Sequence, residues 1–368
     1  MATGKRIASV DALRGFDMFF ISGGALLIGG ICSALGMGEC WLARQMHHVE
    51  WVGFHHHDTI FPLFLFLAGV SWPFSLASQR ARGKTSGQIH AKILFRTAAL
   101  FLIGLSFGGI LKFSPTFRLM SVLGFIGISW GLAALAYMHI RRLGARLALV
   151  GALLAGQYVL LRFFGIAPDA PAGTAPYDYT WNIVFYFDRM LWEGHMLWKG
   201  FEPESVFAVA NGVALALLGM LAGTLLVADR WTASRKSGLL TVAAVASGLL
   251  AALMAYVAGD PLIKQLWTTS FVLAAASYSF ALLALFHWIV DVRGWTGWTV
   301  LFDPVGKNSI LVYTLAMMGV VNTLDKFFFT GVIEHAGAWS VAVKGLTLYL
   351  ITWFVAWWCK RRGIFLKV

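Results

Sequence analysis

Charge is scarce in this chain of 368 residues: lysine, arginine, aspartate and glutamate make up only 12% of it. A soluble domain carries about 25%, so an ordinary water-facing fold is excluded. Three cysteines, Cys32, Cys40 and Cys359, are too few for a disulfide framework. Cys32 and Cys40 can pair only if Cys32 lies at the outer end of its helix. Acidic residues are outnumbered, 17 against 29 basic, for a formal charge of +12. In a soluble protein that excess would suggest nucleic acid. Here the basic residues cluster in short loops between apolar runs, as orientation signals do, so nucleic acid is not an expected partner. No glycine-rich nucleotide motif stands in a strand–helix context, which argues against a classical nucleotide-binding domain. Nor does the chain open like a cleavable signal, because Asp11, Arg14 and Asp17 interrupt the approach to the first apolar run and further spans follow.

What is plentiful is apolar sequence, 59% of the residues with a mean hydropathy of +0.73. It comes in blocks long enough to cross a bilayer, for which roughly 20 residues suffice. Backbone groups in lipid must be satisfied within their own segment, so such runs form helices. Ten spans are expected, at 18–37, 59–78, 94–111, 119–138, 146–164, 205–228, 237–258, 266–290, 308–328 and 339–358. The fold class is all-α, a polytopic membrane bundle forming a single domain over 1–368. Twenty of the 29 basic residues fall at the ends that share a side with the N-terminus. The bias places both termini in the cytoplasm and the 47–58 segment outside. GxxxG spacings at Gly104–Gly108, Gly127–Gly131 and Gly219–Gly223 read as helix packing. The one long connection, 165–204, is external by the same count. Its first part is rich in Pro and Gly; its second, with Asp188, Arg189, Glu193 and His195, is more structured. Trp181, Trp192 and Trp198 suit a membrane interface, or stacking on a sugar.

Titratable side chains gather in one place. His47, His48, Glu50, His55, His56, His57 and Asp58 form a polar island directly against the apolar run 59–78. Imidazoles there suit proton transfer near neutral pH, with Asp58 placed to orient one of them. Five histidines also suggest zinc, although three adjacent ones do not share a helix face as ligands at i and i+4 would. A solvated or interfacial cluster is the third reading. Two further groups lie at the basic ends. Asp11 and Arg14 are three apart, on one helix face, as a structural ion pair or an anion site. Asp303-Pro304-Val305-Gly306-Lys307-Asn308-Ser309 opens a helix, and helix starts favour anions. Lys307, Arg14 and Arg96 together would make a basic mouth for a phosphorylated ligand, although inside-positive topology alone would also put them there.

At these residues the chain resembles the transmembrane acyltransferases related to heparan-α-glucosaminide N-acetyltransferase, including bacterial relatives associated with N-acetylglucosamine use. The opening Ser9-Val10-Asp11-Ala12-Leu13-Arg14-Gly15-Phe16-Asp17-Met18 matches the first-helix signature. The most specific block runs from His48 through Trp51, Gly53, Phe54, Asp58, Phe61 and Pro62 to Gly69 and Val70. Later matches are Phe201–Glu204, Leu266–Phe271, and Gly306, Asn308, Ser309 and Tyr313. An asparagine usual in the first span is replaced by the Ser22-Gly23-Gly24 region, and a Gln-Arg pair in the fourth by Gly124-Phe125.

The resemblance implies an acyltransferase of the bacterial cytoplasmic membrane that takes acetyl-CoA from the cytoplasm and acetylates an amino sugar on the far side. It singles out His48 as the catalytic base, with Asp58 orienting it. Arg14, Arg96, Lys307, Asn308 and Ser309 are then expected around the donor, Glu50, Trp51 and Asp188 around the acceptor, and no metal. Direct transfer and an acetyl-histidine stay open, as does a homodimer. Two other classes compete: a transporter of sugars or peptidoglycan fragments, which would need paired halves with broken helices, and a zinc-dependent membrane hydrolase.

Overall fold

A computed structural model describes residues 7–113, 115–198 and 200–366. Lys5, Arg6 and Lys367, counted among the orientation charges, lie outside the described residues. Among those described, the regular structure is helical and only isolated β-bridges occur. Nine helices among the described residues are long and apolar enough to span a bilayer. They are α1 (Ala8–Ala34), α2 (His56–Ala81), α3 (Ser86–Phe107), α4 (Val122–His139), α5 (Leu143–Phe163), α7 (Val206–Val227), α8 (Ala233–Val257), α9 (Thr269–Val292) and α12 (Gly337–Arg361). Two further apolar pieces, α10 (Ser309–Met317) and α11 (Val320–His335), bent by 71°, make a tenth span if they are counted as one. A short α6 (Ile183–Trp192) lies between α5 and α7.

Helices α2, α4, α7 and α9 form the buried centre, while α3, α5 and α8 turn most of their surface outward. The centre depends on close backbone approach. A Cβ on Gly219 or Gly223 of α7 would stand 2.2 Å from the carbonyl oxygen of Phe66 or Val70 of α2. The 219–223 spacing therefore seats α7 on α2, the packing role expected of small residues in apolar helices. A second such crossing joins α1 to the single turn Asp303–Lys307, where a Cβ on Gly306 would meet the Asp11 carbonyl oxygen at 1.9 Å.

Two sequence expectations need correction. The first helix starts at Ala8, ten residues before the expected span, because Asp11, Arg14 and Asp17 lie inside it and break the apolar run without breaking the helix. It carries a π-turn at Phe20–Gly24, where Gly23 takes a φ of 128° against the Gly345 carbonyl of α12. The run 308–328 is not one straight helix, since Gly319 in the left-handed region separates α10 from α11. The second part of the 165–204 connection is structured, as expected. There α6 covers a small separate core of Tyr177, Phe185, Phe201, Ile263 and Leu266, with Phe185 and Phe201 stacked at 3.9 Å.

Candidate active site

Asp58 sits at the start of α2 with its side chain 1% exposed. One oxygen, Oδ2, accepts from the backbone N–H groups of Val49 (3.3 Å) and His55 (3.2 Å). That is the reciprocal half of a capping box, and the helix N-terminus favours the carboxylate. The other oxygen, Oδ1, lies 2.7 Å from Nδ1 of His48. With Nδ1 donating to the carboxylate, Nε2 of His48 is left as the acceptor. The His48 side chain is 53% exposed, so this nitrogen can meet a substrate.

A cation completes the group. Lys264 Nζ stands 3.6 Å from Asp58 Oδ1 and 3.1 Å from His48 Nδ1. Because Nδ1 cannot accept while it donates to Asp58, the ammonium's attractive partner is the carboxylate. Burial lowers the Lys264 pKa, and Asp58 and Glu204 oppose that shift as nearby negative charges.

Two segments far apart in sequence hold these groups. The 47–55 segment is zipped to the 260–268 segment by backbone contacts: Gly53 N–H donates to Leu262 O at 2.9 Å, and Val52 bridges Ile263. Gln265 Nε2 adds a bond to the Glu50 carbonyl at 3.0 Å. The 260–268 segment is itself over-determined. Trp267, 1% exposed, takes a positive φ of 47°, and Asn211 of α7 donates to its carbonyl at 2.7 Å. Such a conformation persists only where the surroundings impose it.

The five histidines part company. His55 Nδ1 bonds the His47 carbonyl at 3.0 Å, and His56 Nδ1 the Tyr278 hydroxyl at 2.6 Å. The His57 ring lies against that of His48, 4.5 Å between centroids. Among the described residues, no three His, Cys, Asp or Glu side chains are arranged to hold a metal ion. The cysteines are free thiols, with Cys40 Sγ accepting from Ala43 N at 3.4 Å.

The expected basic mouth forms at the other end of α2. Arg14, Arg96, Lys307 and Ser309 line one cavity of about 440 Å³ between α1, α2, α3 and the 303–307 turn, together with Arg82 and Lys92. Arg14 bridges α1 to α2, with Asp11 at 3.3 Å and Ser71 Oγ at 2.7 Å. The Arg96 guanidinium stacks over Trp130, 4.2 Å from the ring centroid. Lys307 pairs with Asp303 at 2.7 Å, a carboxylate shared with Lys360. Asn308 is buried behind this cavity, its Nδ2 donating to Ile364 O. Phe64 and Ala68 carry the cavity part-way along α2 towards Asp58.

No family model matches the chain. Two curated proteins do resemble it, the heparan-alpha-glucosaminide N-acetyltransferases of Mus musculus and Homo sapiens, each 26% identical over 84% of this chain. The chain is similar to these two proteins along most of its length. It spans about half the length of these relatives, 54% and 52%.

In this chain the residues expected at the acceptor side are dispersed. Glu50 is exposed, with its carbonyl held by Gln265. Trp51 donates from Nε1 to the Tyr177 carbonyl and packs against Phe185. Asp188 is fully buried, accepting from Ser205 Oγ at 2.8 Å and Glu202 N at 3.2 Å, and so fixes the 201–205 turn. Sequence reasoning missed Lys264 altogether. The only signal was its place two residues before the matched block at Leu266. It also missed Arg118, whose guanidinium holds both Glu202 and Glu204.

Proposed function

We propose that the protein is a membrane N-acyltransferase that moves an acetyl group from acetyl-CoA to the amine of a glucosamine-type sugar. The observation that carries this is the exposed His48, backed by buried Asp58, at the start of the helix whose far end carries a cation-lined cavity. Arg14, Arg82, Lys92, Arg96 and Lys307 give that cavity the charge to hold the donor's phosphates, with Ser309 beside them. Acetyl-CoA supplies an activated thioester. Along α2, about 1.5 Å per residue, Ala68 and Phe64 mark the route by which the pantetheine arm approaches Asp58. His48 Nε2 takes the proton from the sugar nitrogen as the new C–N bond forms and the C–S bond breaks, the thiolate leaving with the coenzyme. Asp58 steadies the imidazolium that results. Relatives named for acetylating heparan glucosaminide support this substrate class. The preponderance of basic residues at the donor end supports a cytoplasmic donor and an acceptor on the opposite side.

The test is direct. Purified protein with radiolabelled acetyl-CoA and glucosamine should yield labelled sugar. His48→Ala should lose roughly 10²–10⁴-fold of that rate, the usual range for a missing general base, while still binding acetyl-CoA. His47→Ala should keep most activity. An active His48→Ala protein would overturn the assignment of the base.

A further inference from the structure

A second cavity, about 740 Å³, opens at the basic end of the bundle. It shares no lining residue with the one around Arg14 and Lys307. Helix α2 separates the two by its periodicity. Pro73, Leu76, Ala77 and Arg80 recur at helical spacing on one face, whereas Ser71, Ser75, Ser78 and Arg82 recur on the opposite face. The second cavity is thus enclosed by α2, α4, α5 and α7.

Three guanidiniums line it, from Arg80, Arg141 and Arg146. Among the described residues none of the three is in an ion pair, although carboxylates partner arginines elsewhere in the bundle. Arg146 is held in place. It donates to the carbonyls of Ile140 (2.7 Å) and Tyr137 (2.9 Å) and stacks 3.6 Å from the Tyr137 ring centroid. Tyr137 is fixed in turn by a 2.7 Å hydroxyl contact with Thr224. The remaining wall is apolar, with Leu76, Met138 and Val227. Gathered cations with no carboxylate among them repel one another, and a phosphate relieves that repulsion with geometry that guanidinium suits. The cavity also borders the start of α5, whose Leu143 and Leu147 are exposed as lipid-facing residues are.

We propose that this cavity is a phosphate site filled by the headgroup of an anionic phospholipid, separate from the donor cavity across α2. The guanidiniums take the phosphate, and the apolar wall takes the glycerol and the first acyl carbons. It goes beyond the acyltransferase reading and does not depend on it.

Native mass spectrometry of the full chain in detergent tests it, with phosphatidylglycerol or phosphatidylcholine added. Phosphatidylglycerol should be retained where phosphatidylcholine is lost. The Arg80→Gln, Arg141→Gln double variant should weaken retention about tenfold or more. Arg235→Gln, at the same end but stacked on Trp231, should change nothing. Arg146 is left intact because it also caps the end of α4. If the double variant unfolds early, Arg141→Gln alone carries the same readout. Displacement by millimolar inorganic phosphate would keep the anion site and assign it to a soluble phosphate. Equal retention of both lipids, equal loss in Arg235→Gln, or displacement by coenzyme A would overturn the proposal.

Discussion

At the scale of single residues, the least expected member of the site is Lys264. Its ammonium stands within 3.6 Å of the carboxylate that backs His48, and it is largely buried. The ammonium faces the carboxylate that backs His48, so Lys264→Met should lower the acetyl-transfer rate while the protein stays folded. Arginine in its place should restore more of that rate than methionine. An unchanged rate in Lys264→Met would remove this role. The pairing of His48 with Asp58 was legible in sequence because it is ten residues long and borne by a motif. Lys264 reaches His48 and Asp58 from 216 residues beyond His48 in the chain, and nothing local in 260–268 reveals it.

At the scale of elements, the cap around α6 is the part most open to titration. Burial raises Asp188 to about 6 and Glu204 to about 7, from ordinary values of 3.8 and 4.5. One guanidinium, Arg118, faces two carboxylates, Glu202 and Glu204, so a proton held on Glu204 eases their mutual repulsion. With folded values above unfolded ones, the folded cap keeps protons that the unfolded chain has already released. Their contribution is complete below about pH 4 and is lost as pH rises to about 7. Thermal unfolding should accordingly fall in temperature between about pH 5 and 7.5, and Asp188→Asn should flatten part of that slope. A melting temperature that rises over the same range would contradict the buried-acid account. The apolar spans were readable because an uncharged run of about 20 residues has few alternatives. The early start of α1 was not, since Arg14 is held inside the bundle by Asp11 and Ser71. Nor was the break between α10 and α11, because a lone glycine in an apolar run signals packing as readily as a turn.

At the scale of the whole molecule, α2 carries both ends of the proposed reaction, with His48 and Asp58 at its start and the cation-lined cavities at its finish. Which compartment each end faces is a matter for reporters. One fused after Lys84 or Arg235 should read cytoplasmic, and one within 168–176 external. The reverse reading at 168–176 would end the two-sided mechanism. The clasp between 47–55 and 260–268 has a consequence for how such proteins diversify. It is fastened mainly by main-chain groups, Gly53 to Leu262 and Val52 to Ile263, with Gln265 reaching the main chain of Glu50. Side chains facing away from it, such as Glu50, are therefore free to drift without unfastening it. A graft that brings a new 47–55 segment from a relative, however, must bring the matching 260–268 segment as well. The two are one inheritable unit, although some 200 residues of chain run between them.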